Sequence, residues 1–517
     1  MKAGSNLSRR ELVRLALAGG AAAGLPARLL ADEPGGGAPA VRRATDRGAV
    51  PRNIVFMVAD GMSLGVPSLA EPFSRLVRSR GTNWTELTLS PETTLGFFEM
   101  GSLNSLVTDS SAASSSWASG VRIFNNAVNM LPDGTKLTPI GPLARGAGRR
   151  VGLVTTTTIT HATPAGFAAA QANRDDQHLI APQYLDAVDV LMGGGVEYFD
   201  SKIRGDRRDL FAEFSARGYS CWTQRSEVSA EPLPAESLPD KVLGIFDKGH
   251  LPFTIDRNKN AELQQRVPTL AEMSAAALKI LSRHAGGFLL QIEGGRVDHA
   301  AHNNDAAAIV WEQLAFDDAI GVALEFARRR DDTLVVITSD HGNSNPGLNG
   351  MGANYVESDR CFERLAAATA SHDVMMKEFI KRVRKDGASP KEAVVSVLRE
   401  GAGVEVTADE AAAVARALAG ERPNVLNRQH ANVEGAVGDI LSNYNGVGWT
   451  GISHTADLVT TLAIGPGQAA LAGLLRNTQA FEVMSRFMGI SHRNPEMTRE
   501  AARKFAAAPA AQRPHWV

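Results

Sequence analysis

Gly287-Phe-Leu-Leu-Gln-Ile292, running directly into Glu293-Gly-Gly-Arg-Val-Asp-His-Ala-Ala-His302, is the stretch that decides the fold. A short run of large apolar residues fenced by glycines is the pattern of a strand buried on both faces. This one stops at a carboxylate, and Glu293, Asp298, His299 and His302 follow within ten residues. A helix beginning near Asp298 puts His302 at i+4 on the same face, a spacing from which two side chains can hold one metal ion. The same residues also read as a solvated helix N-terminus with its acid placed for the dipole.

Three further runs have this form. Asn53-Ile-Val-Phe-Met-Val-Ala59 ends at Asp60-Gly61. Val151-Gly-Leu-Val-Thr-Thr-Thr-Thr158 leads to His161 and Thr163, and Thr333-Leu-Val-Val-Ile-Thr338 leads to Asp340-His341-Gly342. Short β-branched runs alternating with Ala-rich helical stretches predict an α/β fold with a central, largely parallel β-sheet flanked by helices. In such sheets ligands bind just beyond the carboxyl ends of strands. Metal-ligand residue types collecting at four such ends form a site signal, although Asp60, Asp340-His341 or the later His454 in Gly451-Ile-Ser-His-Thr would each pass alone for a satisfied turn or a structural histidine.

Val107-Thr-Asp-Ser110-Ser-Ala-Ala-Ser-Ser-Ser-Trp-Ala-Ser-Gly120 offers a nucleophile. Its small residues suit a closely packed helix that Gly120 can end. Ser110 then lies beside unpaired N–H groups that welcome an anion. A solvated serine-rich loop is the plainer reading.

Elsewhere the chain is ordinary. It has 517 residues, 44% apolar and 21% charged, with a formal net charge of -2. That balance gives no bulk electrostatic reason for nucleic acid or an anionic membrane as partner. Ser8-Arg9-Arg10-Glu-Leu-Val-Arg14 before a weakly apolar run to Ala31 reads as a twin-arginine export signal, with cleavage after Ala31 or Ala40. Residues 1–40 are therefore set aside as signal and linker, and 50–517 as the catalytic domain. No later run is long enough to anchor the chain in a bilayer, which predicts a soluble protein in the periplasm or outside the cell. Cys221 and Cys361 are 140 residues apart and read either as a disulfide or as two separate thiols. From about residue 356 to 444 the pattern turns helical. Ser389-Pro-Lys-Glu392 and Thr407-Ala-Asp-Glu410 are capping boxes, opening helices to about Glu400 and Ala419. This is a helical insertion between two site segments, expected to cover or border the cleft.

Taken in order, Asp60-Gly-Met, Thr108-Asp-Ser110, His161-Ala-Thr-Pro, Glu293-Gly-Gly-Arg-Val-Asp-His-Ala-Ala-His302, Asp340-His-Gly and His454-Thr resemble the alkaline phosphatase family from about Arg52 to Ile464. Together they are far more specific than any one alone. The resemblance implies hydrolysis of phosphate monoesters through a phosphoserine on Ser110. It implies two zinc ions, the first on Asp298, His302 and His454 and the second on Asp60, Asp340 and His341. A third ion, usually magnesium, would lie on Asp60, Thr163 and Glu293. Arg174, thirteen residues after His161, stands where the family binds phosphate. His161 and His299 occupy positions where some members carry Asp and Lys. They are candidates for contact with the third ion or the phosphate and leave that ion's identity open. A homodimer is implied by resemblance only. The alternatives are a phosphodiesterase or sulfatase-like relative, and a silent exported zinc- or phosphate-binding protein.

Overall fold

Asn53–Ala59 (β1), Phe288–Gly294 (β7) and Thr333–Thr338 (β8) are buried at every position. The computed structural model of the chain describes residues 50–228, 238–421, 427–430 and 432–506; residues 1–40, read above as an export signal, lie outside them. β1 pairs in parallel with β7 on one side and β8 on the other, and β7 continues to Arg150–Thr158 (β3). Burial on both faces is why these strands read as unbroken aliphatic runs rather than alternating ones. The alternation is present but divides two cores. Val55, Met57 and Ala59 pack beneath the helices Leu270–Leu281 and Ala306–Arg328. Ile54, Phe56 and Val58 face the helices Ser110–Ser119, Ala162–Ala168 and Gln479–Met488.

Thr94–Glu99 (β2), Val190–Gly194 (β4), Ser220–Trp222 (β5), Val242–Ile245 (β6), Val459–Ile464 (β13) and Gly473–Arg476 (β14) complete a ten-stranded sheet of order β14-β2-β13-β8-β1-β7-β3-β4-β6-β5. β13 runs antiparallel to β2 and β8; the other pairings are parallel. The expected parallel sheet is therefore present with one reversed strand. β7 runs two residues past the expected stop, carrying Glu293 inside the strand.

The helical region has its own small core of Met375, Val394, Val397, Leu398, Val414 and Leu441. Both capping boxes form, at Pro390–Ala402 and Ala408–Leu418. The N-terminus of His372–Arg384 docks on the body: Ser371 Oγ donates to Asp256 at 2.7 Å, and the His372 N–H donates to Asp305 at 2.6 Å. Cys221 and Cys361 are free thiols, so the disulfide reading fails. No helix of the described residues is long and apolar enough to cross a membrane.

Candidate metal centre

Strand register assembles the site. Val58 of β1 lies beside Glu293 of β7 and Thr338 of β8, and Thr155 of β3 beside Glu293. The residues just beyond, Asp60 and Asp340, therefore emerge at one edge with Glu293. The chain turns there at Gly61, with φ +69°, and a Cβ would sit 2.5 Å from Asp298 Oδ1. Only glycine lets the turn approach that carboxylate.

Three groups of ligating atoms result, each with its atoms within 4.8 Å of one another: Asp298, His302 and His454; Asp60, Asp340 and His341; Asp60, Glu293 and His161. The helix Arg296–His302 places His302 Nε2 3.3 Å from Asp298 Oδ2, the i+4 relation expected from sequence. His454 arrives from far along the chain. His454–Thr455 (β12) pairs with Gly342–Asn343 (β9) and stacks the His454 ring on His341, centroids 3.6 Å apart. Thr163 Oγ1 lies 3.4 Å from Asp60 Oδ2.

The donor set suits cations. His302 Nδ1 faces the Ile452 carbonyl at 2.6 Å and His454 Nδ1 the Thr108 carbonyl at 2.9 Å. Each bond keeps its proton on Nδ1 and turns the Nε2 lone pair inward, and the two Nε2 atoms lie 3.1 Å apart. Two lone pairs at that distance call for a positive charge between them. Asp60 Oδ1 and Glu293 Oε1 are buried and make no hydrogen bond, a costly state that a bound cation relieves. The other Glu293 oxygen accepts from the Thr155 and Thr157 hydroxyls, which aim the carboxylate.

The electrostatics agree. Burial, then Asp340, Asp298 and Glu293, hold Asp60 well above the usual carboxylate range. Burial raises Glu293 to about 7. Burial opposes ionisation of Asp298 too, but His302, His454 and His341 pull it well below its ordinary value. Without ions, burial and neighbouring carboxylates favour protons on Asp60 and Glu293, which bound cations would displace.

Ser110 Oγ lies 3.3 Å from His341 Nε2, at the start of the helix Ser110–Ser119. Gly120, at φ 74°, ends that helix as expected. Ser114 Oγ bonds the Thr163 carbonyl at 2.6 Å, so the small residues permit the close packing that brings the Ser110 and Thr163 helices together. Asp109, given no role from sequence, does two things. Its Oδ1 caps the helix on Ala112 N–H at 2.9 Å, and its Oδ2 accepts from Arg174 Nη1 at 3.3 Å. Arg174 is thereby held one residue from Ser110, with Nη2 3.1 Å from His161 Nε2.

His161 and His299 stand together beside this arginine, ring centroids 5.7 Å apart. A third histidine that sequence reasoning passed over joins them: His250 lies 4.5 Å from His299 and 5.5 Å from His161, ring to ring. A lone histidine in Lys248-Gly-His-Leu251 carries no local signal. Burial, then Arg296 and Arg174, hold His250 down to about 3. Burial first, with Arg174 next for His161 and His250 next for His299, keeps the other two well below the usual histidine range. Arg296 was also passed over. Its Nη1 is 2.7 Å from His299 Nδ1, and its guanidinium lies 3.6 Å from the Phe253 ring centre.

Comparison with known proteins bears on this geometry. The family model described as Alkaline phosphatase matches residues 51–490. The chain is 30% identical over 448 residues to Alkaline phosphatase 4 of Bacillus subtilis, covering 84% of this chain and 88% of that protein. It is 31% identical to the repressible alkaline phosphatase of Saccharomyces cerevisiae, covering 83% and 78%. Among solved structures, Thermus thermophilus alkaline phosphatase superposes with a TM-score of 0.80 at 34% identity, covering 90% of this chain and 97% of that one. The cold-active enzyme of a Shewanella species gives 0.67 at 26% identity, covering 84% and 99%.

Proposed function

Because the chain belongs to the alkaline phosphatase family and is a metal-dependent phosphomonoester hydrolase, we propose that its reaction runs through Ser110. The observation that carries this reading is Ser110 Oγ at 3.3 Å from His341 Nε2, at a helix N-terminus, with Arg174 tied to the preceding residue.

Ser110 attacks phosphorus in line and forms a phosphoserine, and the serine proton ends on the departing alcohol. Water then cleaves the phosphoserine, restores the serine proton and releases inorganic phosphate. Arg174 orients the phosphoryl group through two guanidinium donors. Asp298, His302 and His454 hold one zinc, Asp60, Asp340 and His341 a second, and Asp60, Thr163 and Glu293 a magnesium that His161 and His299 border. The mixed nitrogen and oxygen donors of the first two groups suit zinc, and the oxygens of Asp60, Thr163 and Glu293 suit magnesium. Bound there, the ions supply Lewis-acid charge at the attacking and leaving oxygens.

The Ser8-Arg9-Arg10 signal supports export by the twin-arginine route to the periplasm or beyond. The capping boxes and separate core support treating residues 356–444 as an insertion in one catalytic domain. A homodimer is the expected assembly, which light scattering would check.

The test is phosphate release from p-nitrophenyl phosphate by purified protein, with and without EDTA, then with zinc and magnesium restored. Loss to EDTA, rescue by zinc, and trapping of labelled phosphate on the parent but not on Ser110→Ala are the expected results. Trapping on Ser110→Ala would move the nucleophile elsewhere. Cleavage of diesters or sulfate esters in place of monoesters would overturn the substrate class.

A further inference from the structure

His250 sits just past the carboxyl end of β6, on the same sheet edge as Asp60, Glu293 and Asp340. The chain is pinned on both sides of the ring. The Thr158 N–H donates to His250 Nδ1 at 3.0 Å, and the Leu251 N–H donates to the Thr156 carbonyl at 3.0 Å. A nitrogen that accepts a hydrogen bond carries no proton, so the proton of this imidazole is on Nε2. Among the described residues no acceptor takes it, and Nε2 is not one of the atoms sealed from solvent without a partner. The ring is partly accessible and leans on His161 and His299, the histidines that flank Arg174 and Asp298. His299 is set the same way, because Arg296 donates to its Nδ1 and leaves its proton on Nε2. Two imidazole N–H donors, on His250 and His299, therefore lie against His161, the histidine that Arg174 meets.

The geometry points to His250 as a further substrate-contacting residue, its Nε2–H donating to a non-bridging oxygen of the bound phosphoryl group. This rests on the reading of Arg174 as the phosphate clamp. Service as a ligand of the third ion is disfavoured, because Nδ1 is occupied by the Thr158 N–H and Nε2 holds the proton. A fixed neutral donor complements Arg174. It adds direction without adding charge, so product phosphate can still leave.

The test is calorimetric titration of metal-loaded protein with inorganic phosphate, run on the parent, His250→Asn and His250→Gln, with zinc and magnesium contents and thermal midpoints measured alongside. Asn keeps an acceptor near Nδ1 for Thr158 and removes the Nε2 donor; Gln places an N–H near the Nε2 position. A lost hydrogen bond to a charged ligand is worth roughly tenfold or more in affinity. We expect that loss in His250→Asn, partial recovery in His250→Gln, and unchanged metal content and midpoint in both. Parent-like phosphate affinity in His250→Asn overturns the assignment. So does loss of an ion from that variant, which would make His250 a metal residue. The readout does not need turnover. A parent that binds phosphate but cleaves no monoester leaves His250 assigned and overturns the catalytic reading; a parent that binds no phosphate overturns both.

Discussion

Arg296 donates to Asp373 at 3.3 Å, joining the helix that carries Asp298 and His302 to the first turn of His372–Arg384 in the helical region. Asn303 reaches the other oxygen of the same carboxylate at 2.9 Å. Arg296 in turn fixes the tautomer of His299, so its guanidinium links the helical region to the site. Asp373→Ala should lower kcat/KM severalfold. The ion pair is partly exposed and worth about 1 kcal/mol or less, but His299 loses its support. Asp373→Glu should recover most of the loss. Equal effects from both substitutions, or a change in thermal midpoint alone, would reduce Asp373 to a docking contact.

Arg174→Ala should raise the phosphate inhibition constant by about a hundredfold, from the loss of a bidentate charged contact of roughly 2–3 kcal/mol. Zinc content should not change, because Asp109 and His161, to which Arg174 is hydrogen-bonded, belong to neither the Asp298–His302–His454 nor the Asp60–Asp340–His341 group. Zinc loss in that variant would contradict the placement.

Glu312 gives a pH dependence separate from the metal ligands. Burial pushes it up to about 7, against the pull of the Thr254 N–H and Arg296. The folded protein then holds this proton more tightly than the unfolded chain, whose ordinary value is 4.5. Its contribution to stability is complete below about pH 4.5 and is lost as pH rises to about 7. Glu312→Gln keeps the acceptor for Thr254 and has nothing to ionise. It should match the parent near pH 4.5 and exceed it at pH 8 by up to about 3 kcal/mol. Urea midpoints at the two pH values measure the gap, and a gap that does not change with pH would refute the assignment.

Chelation should cost stability as well as activity. Asp60, Glu293, Asp298 and Asp340 are buried together, and ions that bind only the folded state add about 4 kcal/mol at a thousandfold excess over Kd. EDTA should lower the thermal midpoint by several degrees at pH 8, and zinc should restore it. An unchanged midpoint in protein shown by elemental analysis to be metal-free would mean that the carboxylates tolerate one another unaided.

Much of this was legible because it is local. A buried strand advertises itself in a few consecutive residues, a capping box in four, and an i+4 ligand pair in five. Hence the strands β1, β3, β7 and β8, the helices after Ser389 and Thr407, and the Asp298–His302 pair were all read from the chain, and the family resemblance added the order in which they occur. The reversed strand β13 and the edge strand β14 were not, since direction and neighbour depend on the path of the connections.

Residue types along the chain show what stops at the strand ends, and therefore that a cation belongs there; the family resemblance added the phosphate chemistry. The folded chain was needed to show which nitrogen of each histidine faces inward, that Asp109 both caps the Ser110 helix and holds Arg174, that His250 packs on His161 and His299, and that Asp373 meets Arg296. Hydrogen bonds between residues dozens to hundreds of positions apart leave no periodic trace, because the pattern in a chain records only what neighbours along it must do.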